Sequence, residues 1–386
     1  MTYNVSTSAG ATVARDRLAA RIQVGQNEQD LLITAVANLH IYDRLVPPTK
    51  MLIKTGGGKT DKPRLCYLAS EETPGIGIHP HALGQMCGVT GLPKLYANRL
   101  MSGEQWERSL FDTNINELFH CGKYLDRSGK PAKFLHRIVG GELRGFLSRN
   151  FNRQLASMPL LNGFVSACAQ VGAQPVEATT SAVRFALKCF LPYVFEPVDG
   201  EYVAVGVVWS NSDFGAGRLK VALTTMRIRS NTTAILGDVM SRVHIGSIIQ
   251  DSDLELSDEA ARKEVEAQIA VIRDAVNEQL GPAQVDRLLE AITTAHEEQI
   301  PWHRLKAELG RILQKNEMMD VKKLLESGAD DIVDLPAVGR TDGGDPVATR
   351  WWASNVVSWM ASKEQSLERQ NELQQLAGDL LGKNKA

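Results

Sequence analysis

The chain has 386 residues, with 43 lysines and arginines against 45 acidic residues, so its formal net charge is −2. Hydrophobic residues make up 43% and charged residues 23% of the sequence, close to the averages of globular proteins. These values exclude a polycation and allow a large buried core, and the length predicts two or three structural units. No run of about 18 apolar residues occurs, so we expect no membrane-spanning helix.

The N-terminus and the cysteines indicate the cellular compartment of the protein. The first residues lack the apolar region of a secretory signal. Five cysteines lie far apart with no C-x-x-C pair, which favours reduced thiols over a disulfide framework or a zinc module. We therefore expect a cytoplasmic protein without a metal or another cofactor.

The predicted fold class is α+β, a central antiparallel sheet with crossing helices followed by a C-terminal helical region, because runs of strands precede runs of helices. In chain order we predict a flexible N-terminal arm with one short helix (1–27), an α+β core (28–250), a helical region (251–326), a linker (327–348) and a C-terminal helical hairpin (349–386).

Short strands are predicted early in the core, joined by the glycine-rich segment 55–60. That segment ends in G-K-T, but it lacks the first glycine of a phosphate loop and leads into no helix, so we interpret it as a turn. His79, His81 and Cys87 form a conceivable metal cluster, but surface histidines on a proline-initiated helix are the preferred interpretation.

The second half of the core shows the clearest pattern. A helix is predicted over residues 159–172, three antiparallel strands over 181–190, 201–209 and 217–228, and a helix-capable segment after Asn231. The first strand alternates, with valine, phenylalanine, leucine and cysteine on one side and Arg184 and Lys188 on the other. We therefore expect a sheet with one apolar and one cationic face.

Charge is distributed unevenly along the chain. Residues 123–153 contain eight lysines and arginines against two acids, while residues 251–278 contain nine acids against three bases. No acid occurs from Phe214 to Leu236. Such asymmetry is typical either of an anionic partner or of two segments that dock on each other.

A cationic groove with aromatic side chains is how proteins bind single-stranded nucleic acid without reading its sequence. We predict such a surface, with no catalytic residue and no metal ligand. Its predicted members are Arg144, Arg149, Phe151, Arg153, Arg184, Lys188, Trp209, Asn211, Phe214, Arg218, Lys220, Arg227 and Arg229. A solvated sheet face remains the alternative for the charges, and a bulged turn remains the alternative for the SNSDFG segment 210–215.

Five short segments occur in a specific order: ALGQMCGVTGLP (82–93), RGFLSRNF (144–151), WSNSDFG (209–215), RIRSN (227–231) and RVHIG (242–246). This order resembles that of the Domain of Unknown Function 932 family, which phages and plasmids carry. Phe151 stands where the family has tyrosine, and Thr232 where it has glycine. The resemblance implies a bacterial cytoplasm and a mobile element. It implies no established activity.

We therefore predict a phage- or plasmid-encoded nucleic-acid-binding protein, non-enzymatic, favouring single-stranded DNA binding or annealing as in recombination, and forming a homo-oligomer. The first alternative is an effector that binds a host defence or replication protein, suggested by the acidic segment 251–278 and by Trp351 and Trp352. The second is an enzyme acting on a nucleotide or nucleic acid through Asn211, Asp213 and His244.

Overall fold

A computed structural model describes residues 3–56, 61–68, 75–126, 128–151, 155–242, 258–327, 339–340 and 346–382. The chain is mixed, with antiparallel sheets and a C-terminal helical region, which confirms the predicted fold class. Among the helices in these ranges, none is long and apolar enough to cross a membrane.

The chain begins with a long helix, α1 (Ala9–Ala37), where a flexible arm was predicted. That prediction was wrong because the helix buries small and apolar residues, among them Ala11, Ala14 and Leu18, against the second sheet. Glu28 accepts a hydrogen bond from the backbone N–H of Ala178, and so caps the edge of that sheet.

The first sheet has six strands in the order β1-β5-β6-β4-β3-β2, antiparallel except for the β4–β6 pair. Its strands are β1 (Tyr42–Val46), β2 (Met51–Lys54), β3 (Arg64–Tyr67), β4 (Ile76–Ile78), β5 (Phe134–Val139) and β6 (Glu142–Ser148). Between β4 and β5 lie α2 (Pro80–Thr90), α3 (Lys94–Ser102) and α4 (Gln105–His120). These helices and one face of the sheet enclose a separate hydrophobic core.

The second sheet follows α5 (Ser157–Val171) and has the order β12-β11-β10-β8-β7, with β9 paired to β10. Its strands are β7 (Gln174–Thr180), β8 (Phe185–Phe190), β9 (Phe195–Val198), β10 (Glu201–Asn211), β11 (Leu219–Arg227) and β12 (Thr232–Arg242). The helix-capable segment predicted after Asn231 is strand β12, so that prediction was wrong. The three predicted strands correspond to β8, β10 and β11.

The C-terminal elements are α6 (Asp258–Gln279), α7 (Pro282–Glu297), β13 (Gln299–Pro301), α8 (Trp302–Leu309), α9 (Lys315–Ser327), β14 (Gly339–Arg340), β15 (Pro346–Thr349), α10 (Arg350–Lys363) and α11 (Leu367–Gly382). β13, β15 and β14 form a small sheet in that order. One hydrophobic core joins α5, the second sheet and helices α6 to α11. Most of the predicted linker, 328–338 and 341–345, lies outside the described residues.

α11 packs so closely on the edge strand β12 that Gly378 has no room for a side chain. A Cβ at this position would collide with the carbonyl oxygen of Ile235. Gly382, at the end of the same helix, has open space around its Cβ position. The closeness of α11 to β12 therefore depends on glycine at position 378.

Gly378→Ala is expected to lower the free energy of unfolding by about 1–3 kcal/mol, because the helix must move away from the strand. Urea unfolding measures the change. Gly382→Ala is the matched control, and we expect it to be neutral or slightly stabilising because alanine favours helix. Equal effects of the two substitutions would contradict this account of the packing.

Candidate nucleic-acid interface

The loop that follows β10 binds the N-terminus of α5. Asn211 Nδ2 donates to the carbonyl oxygen of Leu155 at 2.9 Å and to Ser157 Oγ at 3.1 Å. The N–H of Ser157 donates to Asp213 Oδ1 at 3.0 Å, so this carboxyl caps α5 from a distant part of the chain. Burial raises the pKa of Asp213, although Ser157 and the nearby Arg137 favour its carboxylate.

The same loop holds the two sheets together. The carbonyl oxygen of Phe214 accepts a hydrogen bond from Gln85 Nε2 at 2.9 Å and lies 3.0 Å from His81 Nε2. Gly215 has φ +73°, and a Cβ there would lie 2.5 Å from Leu147 Cδ2. Asn211 and Asp213 thus have structural roles in a tight turn, and their side chains bind the protein's own backbone. His244 lies outside the described residues.

Three of the predicted cations lie on segments that contact one another beside this loop, and we call them the junction cluster: Arg144, Arg184 and Arg218. Arg144 extends from β6 and donates from Nη1 to the carbonyl oxygen of Ala182 at 3.2 Å, in the turn that carries Arg184. The guanidinium of Arg184 lies against Gly217, where a Cβ would be 3.4 Å from Cζ. Arg218, the next residue, is exposed.

The side chain of Arg184 is largely buried, but few of its N–H donors have hydrogen-bond partners within the described part of the protein. Its Nη2 makes one long hydrogen bond, 3.5 Å to Ser210 Oγ, and its buried Nε has no hydrogen-bond partner among the described residues. Burial lowers the pKa of Arg184, and the carboxylate of Glu368 partly offsets that effect. A guanidinium offers five N–H donors, so this one retains donors for an anion.

Further charges surround the cluster. Glu142 binds Lys62 Nζ at 2.9 Å and Arg144 Nε at 3.3 Å, and thereby links β6 to the segment before β3. His79, at the N-terminus of α2, lies within electrostatic range of Glu142 and Arg144. Burial lowers the pKa of His79 more than Glu142 raises it. The sequence gives no sign of Lys62, Ser210 or Glu368 in this site, because each comes from a different element.

Three other predicted cations lie inside the protein, so the prediction of a cationic strand face was wrong for them. Lys188 Nζ binds Glu177 at 3.0 Å and Thr233 Oγ1 at 3.1 Å. Arg227 forms a two-pronged ion pair with Glu201, and Lys220 is also buried. Helices cover both faces of the sheet, so its alternating pattern does not mark a solvent side.

The predicted aromatic platforms are also buried. Trp209 and Phe214 are fully enclosed, and Phe151 is 8% exposed, with Arg137 over its ring at 5.6 Å. A base has no access to a ring in that position, so the predicted stacking role was wrong for all three. Their environment is the hydrophobic core or the contact between the two sheets.

The remaining predicted residues do not join the cluster. Arg229 follows the far end of β11, which is nine residues or about 30 Å long, while Arg218 precedes its beginning. Arg149 is exposed just after β6, and Arg153 lies outside the described residues. Of the predicted set, Arg144, Arg184 and Arg218 lie on segments that the structure brings into contact.

The histidines of α2 have contacts within the protein. His79 Nδ1 accepts a hydrogen bond from the N–H of His81 and caps the helix, and Cys87 is buried in the first core. In the part of the chain that the structure describes, no group of three or more histidine, cysteine or acidic side chains is placed to hold a metal ion.

Comparison with known proteins adds no relative: no protein-family model, no curated protein and no solved structure matches the chain. The resemblance to the Domain of Unknown Function 932 family therefore stays a prediction, as do the mobile element and the bacterial host.

Proposed function

We propose that the chain binds nucleic acid, and that the junction cluster holds phosphate groups of its backbone. The observation that carries this proposal is the guanidinium of Arg184, which is partly exposed and for which the described residues provide one long hydrogen bond, from Nη2 to Ser210 Oγ. Burying a charged group is costly unless it is paired and hydrogen-bonded. An external anion would supply the pairing that the fold leaves incomplete.

Phosphate fits this site through both charge and geometry. Arginine presents a planar fork of donors that matches the oxygens of a phosphate, and such bonds are about twice as strong as neutral ones. Arg144 bonds to the turn that carries Arg184, and exposed Arg218 follows Gly217, against which the Arg184 guanidinium lies. Several arginines from separate elements favour a polymer of phosphates over one small anion.

Binding of this kind contacts the phosphate backbone and does not depend on the base sequence. Because Trp209 and Phe214 are enclosed, base stacking on them does not contribute, and affinity is expected to depend strongly on salt. Single-stranded DNA remains the first partner to test, and a duplex is the necessary comparison.

The test is a fluorescence-anisotropy titration of labelled single-stranded DNA with the full chain at several salt concentrations. Arg184→Gln is expected to weaken binding about 10-fold or more and to reduce the slope of log affinity against log salt by about 0.7 for the lost phosphate contact. Its thermal stability should stay equal or rise, since the change removes a buried and poorly paired charge.

Arg304→Gln is the matched control, because Arg304 is an exposed arginine on α8. It should bind like the unsubstituted chain. The proposal fails if the unsubstituted chain does not bind at low salt, or if Arg184→Gln and Arg304→Gln behave alike. Lys188→Glu is unsuitable for this purpose, because loss of the Glu177 ion pair would damage the fold itself.

The two alternative functions receive no comparable support. Trp351 and Trp352, which suggested a protein-binding surface, are 2% and 3% exposed within the core. Asn211 and Asp213, which suggested an enzyme, bind the start of α5. We therefore propose neither.

A further inference from the structure

Helices α2 and α3 form a compact unit on the first sheet. They are joined by the three residues 91–93, and Gly91 occupies the left-handed region with φ +77°. Two helices joined by a three- or four-residue turn that contains glycine are the arrangement of a helix-turn-helix motif. α4 packs against both helices and completes a three-helix unit.

Burial divides this unit into an inner and an outer side. The inner side chains, all 9% exposed or less, are Met86, Cys87, Thr90, Leu92, Ala97 and Leu100. Apart from Tyr96, the exposed side chains of α3 are spaced by one, three or four residues and therefore share a helix face. They include Lys94, Leu95, Asn98, Arg99 and Ser102.

We propose that α3 is a recognition helix that enters the major groove of duplex DNA. This inference rests on the proposed nucleic-acid binding and deepens it by naming the form of the polymer and the element that reads it. The major groove admits an α-helix. In helix-turn-helix proteins the second helix contacts base edges with its N-terminal residues while the first crosses the backbone.

The exposed face of α3 carries suitable chemistry for base edges. Asn98 presents an amide that can pair with adenine, Arg99 a fork that can pair with guanine, and Leu95 an apolar contact for the methyl group of thymine. Leu95 is 85% exposed, so nothing in the described chain covers it.

Charge favours DNA over a protein as the occupant of this face. From Ile76 to Gly103 the sequence contains no acid, whereas Lys94 and Arg99 are exposed. The N-terminus of α2 lies beside the strand that carries Arg144, because the N–H of His79 donates to the carbonyl oxygen of Leu143 at 2.9 Å. α2 therefore contacts both α3 and the strand that carries Arg144.

The experiment is selection from a library of random duplexes with the full chain, followed by affinity measurements on the enriched duplex and on single-stranded DNA. We expect one enriched sequence. Asn98→Ala and Arg99→Ala should each weaken binding to it about 10- to 100-fold and relax the preference at one base pair. Both should leave single-strand binding and thermal stability unchanged.

Matched controls are Asn162→Ala on α5 and Arg304→Ala on α8, which make the same changes at exposed positions outside the unit. If no duplex sequence is enriched while single-stranded DNA still binds, the inference is wrong and the proposed function stands. If the α3 variants behave like their controls, the inference is also wrong. Binding to neither polymer would overturn both.

Discussion

Replacing Arg227 by methionine is expected to destabilise the fold by about 3–5 kcal/mol, among the largest effects of any single substitution in this chain. Arg227 Nε and Nη2 donate to the two carboxylate oxygens of Glu201, each at 2.8 Å, and both residues are buried between β10 and β11. Removal of the arginine leaves the Glu201 carboxylate enclosed without its partner. Urea unfolding at neutral pH measures the loss.

A double variant distinguishes the loss of the ion pair from the loss of side-chain packing. In Arg227→Met/Glu201→Leu neither charge remains, so we expect most of the lost stability to return. Arg218→Met changes an exposed arginine just before the same strand and should stay within about 0.5 kcal/mol of the unsubstituted chain. A double variant as unstable as Arg227→Met would show that side-chain packing, and not the unpaired carboxylate, causes the loss.

Acidification from pH 7 to pH 4 is expected to cost about 3 kcal/mol through His136 alone. His136 is fully enclosed, and its Nδ1 lies 2.8 Å from the hydroxyl oxygen of Tyr67. Burial lowers the pKa of His136 to about 3, with a further contribution from Arg44. Burial likewise raises the pKa of Tyr67 to about 12.

The sign of this pH effect on stability follows from the direction in which the pKa of His136 is shifted. In the unfolded chain histidine takes up a proton near pH 6.5, whereas the folded chain resists protonation down to about pH 3. The stability is therefore complete above pH 6.5 and is lost progressively as the pH falls towards 3. Urea unfolding at several pH values gives the profile.

Comparison with Tyr67→Phe/His136→Phe isolates this contribution, because Tyr67 does not titrate between pH 4 and pH 7 and all remaining titrating groups are the same in both chains. The double variant removes both members of the hydrogen bond, and its stability should fall about 3 kcal/mol less over the same pH range. Parallel profiles for the two chains would contradict a neutral, buried His136.

Patterns within single elements predicted much of the fold. The helix α5 ending at Gly172 and the strands β8, β10 and β11 were predicted from periodicity and turn residues. In each case the signal is local, because hydrophobic spacing and a glycine or proline act within a few residues.

Elements whose environment is set by distant segments were predicted wrongly. α1 has a weak apolar face and becomes a helix beside the second sheet, where Gly25 lies against the backbone of β7. β12 has both a helix on its outer edge and a partner strand, and neither is visible in its own residues. Lys188 looked solvent-exposed because its partners, Glu177 and Thr233, lie on other strands.

The candidate site shows the same limit. The sequence supplied Arg144, Arg184 and Arg218 as cations, but it also supplied Arg227 and Lys188, which are structurally paired. What separates the two groups is burial: Lys188 and Arg227 are buried and paired with acids, whereas Arg144 and Arg184 keep part of their surface exposed and Arg218 is exposed. That depends on the register of β10 with β11 and of β7 with β8, which alternation alone does not determine.

The central claim is that nucleic acid contacts the junction cluster, and hydrogen–deuterium exchange of the full chain with and without single-stranded DNA tests it most directly. The account predicts slower exchange in the turn 181–184 and in the loop 215–218, with α8 and α11 beyond its first turn unchanged. Protection confined to the C-terminal helices, or no protection at a DNA concentration that saturates binding, would contradict it.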